Sequence, residues 1–114
     1  MPRHRLCHTS DIANDSARGF NVDGTSVFVV KKFDRLYAYH NRCPHLGVPL
    51  EWLPDKFLDT GAELIQCATH GALFVIESGE CVAGPCSGQQ LRPLALEQHP
   101  NGDIVVALQP FSPD

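Results

Sequence analysis

Two short segments of the chain concentrate the residue types that bind transition metals. The first is Cys43-Pro44-His45-Leu46-Gly47, and the second is Cys67-Ala68-Thr69-His70-Gly71. Thiolate sulfur binds iron–sulfur clusters and zinc, and imidazole nitrogen accepts iron or zinc, so the ligand types leave both chemistries open. A Cys-x-His pair and a distant Cys-x-x-His pair can converge only if two loops meet. The spacing therefore predicts one metal centre built from two hairpin loops.

The elements that must position these segments are short β-type runs separated by turn residues, which indicates an all-β fold. Asp23-Gly24 and Asn101-Gly102 each lie between two such runs and predict hairpins, because Gly tolerates positive φ. The predicted strands cover residues 19–22, 25–32, 36–40, 63–66, 72–76, 94–97 and 103–108. The stretch 50–60 is compatible with a short helical turn or an irregular loop. Only the two chain ends are expected to be loose.

Length and composition limit the classes of protein that fit. With 114 residues, 43% of them hydrophobic, the chain is expected to form one domain, residues 1–114. The net charge of −4 argues against a nucleic-acid partner. No signal-peptide pattern follows the basic start, and no run reaches the roughly eighteen apolar residues of a membrane span, so we expect a cytoplasmic protein without a membrane partner. In that reducing compartment, five cysteines favour metal ligation over disulfides.

The two segments resemble the motif of the Rieske 2Fe-2S family, C-x-H followed by C-x-x-H. The resemblance continues through Gly71-Ala72-Leu73-Phe74, through Gly84-Pro85-Cys86, which is similar to the family's proline loop, and through Leu91-Arg92-Pro93-Leu94. It implies stacked antiparallel sheets with two cluster-binding hairpin loops. It also implies one 2Fe-2S cluster, with one iron bound by Cys43 and Cys67 and the other by His45 and His70. The gap between the two motifs is longer than in the family's small ferredoxins, which suggests an insertion over residues 52–60.

The resemblance implies a soluble one-electron carrier that passes electrons from a flavin reductase to a terminal oxygenase. A Rieske oxygenase subunit would need a further domain with a mononuclear iron site, and a respiratory subunit would need a membrane anchor; neither is expected here. The alternative is an accessory small subunit of a reductase such as nitrite reductase, where the ligands are often missing. All four are present, which favours the carrier. No acid, base or nucleophile constellation accompanies them, so no catalytic activity of the chain's own is expected.

The residues beside the ligands predict a potential at the low end of the Rieske range. High-potential relatives have a disulfide at the places of Val48 and Thr69, and a serine and a tyrosine at the places of Ala72 and Phe74. This chain therefore lacks hydroxyl donors that would stabilise the reduced state.

Other ligand-type residues fit a structural role better than a metal site. Structural zinc fingers space their histidines differently and are far shorter, which argues against zinc. Cys81 and Cys86 do not form a C-x-x-C pair and are expected to pack in a turn. The remaining ligand-type residues have no motif partners: Cys7, His4, His8, His40 and His99.

Overall fold

A computed structural model describes residues 3–42, 50, 57–59, 61–68, 71–84 and 88–107. Within these ranges the chain forms strands and one short 3-10 turn, Thr9–Asp11, so the all-β prediction is confirmed. The strands are β1 (Arg3–His8), β2 (Ser16–Val22), β3 (Thr25–Lys32), β4 (Arg35–His40), β5 (Leu64–Gln66), β6 (Leu73–Val75), β7 (Cys81–Ala83), β8 (Ala95–Gln98) and β9 (Asp103–Ala107). The described part of the chain contains no helix long and apolar enough to cross a membrane.

The strands form three antiparallel sheets of three strands each. We call them the central sheet (β2-β3-β4), the terminal sheet (β1-β9-β8) and the small sheet (β5-β6-β7). The central sheet consists of two hairpins, and their two-residue turns are Asp23-Gly24 and Phe33-Asp34. All four of these residues have positive φ, as expected for hairpin turns that follow the strand twist. The first of these turns was predicted from its glycine.

The central sheet is the middle layer of the molecule. Val27, Phe28, Val29 and Val30 of β3 are all fully buried, although side chains of one strand alternate between the two faces of a sheet. Val27 and Val29 belong to a core shared with the terminal sheet, whereas Phe28 and Val30 belong to a core shared with the small sheet. The continuous apolar run of β3 therefore reflects burial on both faces.

The prediction that the N-terminal end is loose is wrong. Residues from Arg3 to His8 form β1, which pairs with β9 along its length. His8 then caps the 3-10 turn, because its Nδ1 accepts a hydrogen bond from the Ser10 amide and its own amide donates to Asp11. A Cβ at Gly102 would collide with the His8 imidazole, so the β8–β9 connection also packs closely on this ring.

The other predicted strands are confirmed with small shifts at their ends, and β7 was not predicted. The hairpin around Asn101-Gly102 is present as β8 and β9, which pair from Ala95 opposite Ala107 to Gln98 opposite Ile104. Most of the stretch 50–60 lies outside the described residues. Phe57 and Leu58 are described, and Leu58 forms an isolated bridge with Ile65.

Candidate metal centre

Cys67 is the one predicted ligand that lies within the described residues. It follows β5 directly, its side chain is fully buried, and it forms no disulfide. Cys43, His45 and His70 lie outside the described residues, so their predicted ligand roles remain predictions. The described residues beside them show what holds the ends of the two motif loops, which we define as residues 43–49 and 67–71.

The second motif loop is closed by backbone hydrogen bonds. The Cys67 amide donates to the Ala72 carbonyl over 2.8 Å, and the Gly71 amide donates to the Cys67 carbonyl over 2.8 Å. Gly71 has φ +69°, a left-handed conformation that a residue with a Cβ adopts only at a cost. This loop connects β5 to β6, so Cys67 and His70 are carried on the hairpin loop that the sequence predicted.

The first motif loop ends beside the second one. Asn41 precedes it and Leu50 follows it, and the Leu50 amide donates to the Asn41 Oδ1 over 2.8 Å. The Leu50 carbonyl in turn accepts a hydrogen bond of 2.7 Å from the amide of Ala68, the neighbour of Cys67. The fold therefore bonds Leu50, the residue that follows the first motif loop, to the second loop.

A third segment approaches the same place. Gly84 has φ +99°, and a Cβ built on it would lie 2.8 Å from the Ala72 Cα. Only a glycine allows this contact between the end of β7 and the second motif loop. Pro85 and Cys86, which complete the predicted proline loop, lie outside the described residues.

His40 and Arg92 set the local electrostatics just before the first motif loop. The His40 side chain is buried, and its amide donates to the Arg92 carbonyl over 2.9 Å. Burial lowers the pKa of the imidazole, and the Arg92 guanidinium lowers this pKa further. Both effects favour the neutral form of the His40 imidazole.

Other ligand-type side chains have structural surroundings. His4 lies 3.4 Å from the Asp23 carboxylate, and Cys7 is buried in the core between the central and terminal sheets. Burial, more than the nearby Asp11 carboxylate, raises the pKa of the Cys7 thiol. Cys81 lies on β7 rather than in a turn, and its Sγ donates to the Ala83 carbonyl over 3.2 Å. His99 lies in the β8–β9 connection, where its carbonyl accepts from the Gly102 amide.

The donor set fits a 2Fe-2S cluster with mixed ligands. The two thiols and two imidazoles predicted for the two motif loops are the ligand types of a Rieske centre. Cys67, the described member of this set, agrees with it. Its thiol is buried, and backbone hydrogen bonds of Cys67 and Gly71 close the loop that carries it.

Comparisons with known proteins agree with this fit. A family model described as the Rieske 2Fe-2S domain matches residues 3–106. The ferredoxin of carbazole 1,9a-dioxygenase from Nocardioides aromaticivorans IC177 is similar in structure, with a TM-score of 0.77, 25% identity, and coverage of 96% of this chain and 100% of that one. A ferredoxin–oxygenase complex of carbazole 1,9a-dioxygenase gives a TM-score of 0.76 with 26% identity and 92% of both chains covered.

A larger protein is similar to this chain in fold only. The terminal oxygenase of carbazole 1,9a-dioxygenase from Novosphingobium sp. KA1 matches with a TM-score of 0.75 and 17% identity, over 98% of this chain but only 31% of the oxygenase. Since the family model spans nearly all of the described strands, this chain belongs to the Rieske 2Fe-2S domain family, and its cofactor is one 2Fe-2S cluster.

Proposed function

We propose that this chain is a one-electron carrier that receives electrons from a flavin reductase and passes them to a terminal oxygenase. The observation that carries the proposal is the extent of the structural similarity. The chain covers the whole of a dioxygenase ferredoxin, but less than a third of a terminal oxygenase with the same fold. The similarity is thus to a whole ferredoxin, and to one part of a larger oxygenase in fold alone.

In this proposal Cys43, His45, Cys67 and His70 hold the cluster, which supplies the uptake and release of one electron. The chain's own residues do the rest. Cys67 holds its thiol away from water, and the hydrogen bonds of Ala68 and Gly71 hold the two ends of the second loop in place. A rigid site requires little rearrangement when the charge changes, and this favours fast transfer.

The proposal includes a single domain of residues 1–114 and a cytoplasmic location. The location is supported by Cys7 and Cys81, buried cysteines outside the proposed ligand set that form no disulfide, as expected in a reducing compartment. Transient redox contacts bury little surface, so we expect the partners to dissociate readily.

The proposal is tested with anaerobically purified protein. We expect about two irons and two labile sulfides per chain without stoichiometric zinc. Reduction by NADH should require a flavin reductase, and reoxidation should accelerate when a Rieske oxygenase with its substrate is added. Zinc at one per chain without labile sulfide, or a reduced cluster that no oxygenase reoxidises, would contradict the proposal.

We also propose that the potential is at the low end of the Rieske range. Ala72 and Phe74 are fully buried in the same core as Cys67, and neither side chain donates a hydrogen bond. Charge-assisted hydrogen bonds contribute roughly 1.5 to 3 kcal/mol each, and 1.4 kcal/mol equals about 60 mV for one electron, so two missing donors lower the potential by on the order of 100 mV. Voltammetry of the Ala72→Ser/Phe74→Tyr double variant should give a more positive potential than wild type. A double variant no more positive would contradict this explanation.

A further inference from the structure

Asn41 is a buried polar residue at the point where the central sheet meets the first motif loop. Its side chain is among the few polar ones buried in the described core, with only 6% of the residue exposed. A buried amide costs free energy unless its donors and acceptors are paired. Here they are paired, because Nδ2 donates to the Ser26 Oγ over 3.1 Å and Oδ1 accepts from the Leu50 amide over 2.8 Å.

The backbone of Asn41 is fixed as firmly as its side chain. The Asn41 amide donates to the Ser26 carbonyl over 2.9 Å, which continues the β3–β4 ladder one step beyond the pair Val27 and His40. Asn41 is thus attached to the most regular sheet of the molecule through both its main chain and its carboxamide. Its oxygen is directed to the far end of the loop that carries Cys43 and His45.

The hydrogen bonds continue from there into the second motif loop. Leu50 is fully buried, and its carbonyl accepts the 2.7 Å bond from Ala68, one residue after Cys67. A continuous series of bonds therefore runs from Ser26 through Asn41 and Leu50 to Ala68. It fixes the separation of Asn41 and Leu50, which flank the first loop, and it connects Leu50 to the second loop.

The hydrogen bonds of the carboxamide, and not the burial of apolar surface, explain an asparagine at this position. A leucine has similar volume, would bury more apolar surface, and would need no hydrogen bonds. A leucine could not, however, accept the hydrogen bond from the Leu50 amide. A buried amide without an acceptor destabilises this backbone conformation relative to others in which the amide is hydrogen-bonded. The carboxamide therefore determines where the first loop ends.

We propose that Asn41 is the positioning residue that sets the separation of the two ligand-bearing loops and thereby the geometry of the cluster. The proposal rests on the ligand assignment given above. It goes beyond that assignment because Asn41 is no ligand. Its effect reaches the cluster through Leu50 and Ala68.

The test compares Asn41→Leu, Asn41→Asp and the control Asn21→Ala in the cluster-containing protein. Asn21 has the same kind of bond, since its Oδ1 accepts from the Gly24 amide over 3.0 Å, but it is exposed near the end of β2, beside the β2–β3 turn. The measurements are the rate of iron release to a chelator, the EPR g values of the reduced cluster, and the urea midpoint. Asn41→Leu should release iron about tenfold faster and show shifted g values. Asn41→Asp keeps an oxygen acceptor for Leu50 and should release iron at a rate close to wild type.

The outcomes separate positioning from simple stability. If Asn41→Leu lowers the urea midpoint but leaves the g values and iron release as in wild type, the proposal is wrong. It is equally wrong if Asn21→Ala changes the g values as much. Should Asn41→Leu fail to fold, Asn41→Ser is measured instead, because its hydroxyl is too short to reach Leu50 and the same shifts are expected. Wild-type protein without iron and sulfide would refute the proposed function itself, which is a different result from an unchanged variant.

Discussion

The central sheet and the small sheet are built in opposite ways. The strands of the central sheet have 7, 8 and 6 residues, and their pairing runs without interruption. Each strand of the small sheet has 3 residues, and the register between β6 and β7 shifts between Leu73 and Phe74. Such short strands bury too little to be stable alone.

The small sheet is therefore held by side chains of the central sheet. The Tyr39 hydroxyl donates to the Ile76 carbonyl over 2.6 Å, and the ring of Phe28 stacks on Phe57 with centroids 4.3 Å apart. A Cβ at Gly79 would lie 2.8 Å from the Tyr39 ring, so this glycine allows the close contact. A short, irregular sheet can therefore carry a metal-binding loop, because a neighbouring regular sheet supplies its stability.

The largest expected effect concerns the metal loop of the small sheet. Cys67→Ser should abolish cluster assembly, because a weakly acidic hydroxyl replaces a thiolate, and the visible and EPR signals should be absent. Cys81→Ser is a matched control, since Cys81 is also buried in the small sheet and a serine there can still donate to Ala83. A cluster retained in Cys67→Ser and lost in Cys81→Ser would show that the ligand assignment is wrong.

The next effect concerns the contact between the two sheets. Phe28→Ala should lower the free energy of unfolding by about 3 to 5 kcal/mol, because it removes a fully buried ring and its stacking partner remains beside a cavity. Phe33→Ala changes the same residue type at the tip of the same hairpin, where 79% of Phe33 is exposed, and should have little effect. Urea denaturation measures the free energy of unfolding of both variants. An equal decrease in the two would contradict the role of Phe28 in the contact between the sheets.

The contact of Tyr39 with Ile76 should make the stability of the protein depend on pH. Burial, then the Glu77 carboxylate, then Tyr37 raise the pKa of Tyr39 from 10 to about 12. Because the folded-state pKa is the higher one, this contribution to stability is fully present below pH 10 and is lost as the pH rises through 12. Urea midpoints between neutral pH and pH 12 should fall less steeply in Tyr39→Phe than in wild type. At pH 7 the variant should be about 1 to 2 kcal/mol less stable, because the Ile76 carbonyl loses its donor. Parallel pH profiles would contradict the assignment.

The smallest effect is expected at the far end of the central sheet. Phe33 has φ +50° in the β3–β4 turn, a conformation that asparagine adopts more readily. Phe33→Asn should therefore stabilise the protein by about 0.5 kcal/mol without changing the cluster signals. A thermal melt is sufficient to detect the difference, and destabilisation would show that the ring contributes a contact, such as that with the Lys32 ammonium 5.3 Å away.

The sequence by itself determined the features that depend on neighbouring residues. Asp23-Gly24 identified a hairpin turn, because Gly tolerates positive φ, and the apolar run over residues 25–32 identified the strand β3. The spacing of Cys67 and His70 placed both on one predicted hairpin loop, and β5 and β6 pair antiparallel on either side of this segment. These inferences succeeded because turn geometry and side-chain alternation act over a few residues.

Only the tertiary structure decided which distant segments meet. β1 has weak strand signals and exists through its pairing with β9, about a hundred positions later in the chain, so no local pattern revealed it. The same holds for Asn41, whose role depends on Leu50 and Ala68, and for the approach of Gly84 to Ala72. Hydrogen bonds and close contacts between remote residues become favourable only after the sheets have paired, because closing the long loops between them costs entropy that local sequence preferences do not offset.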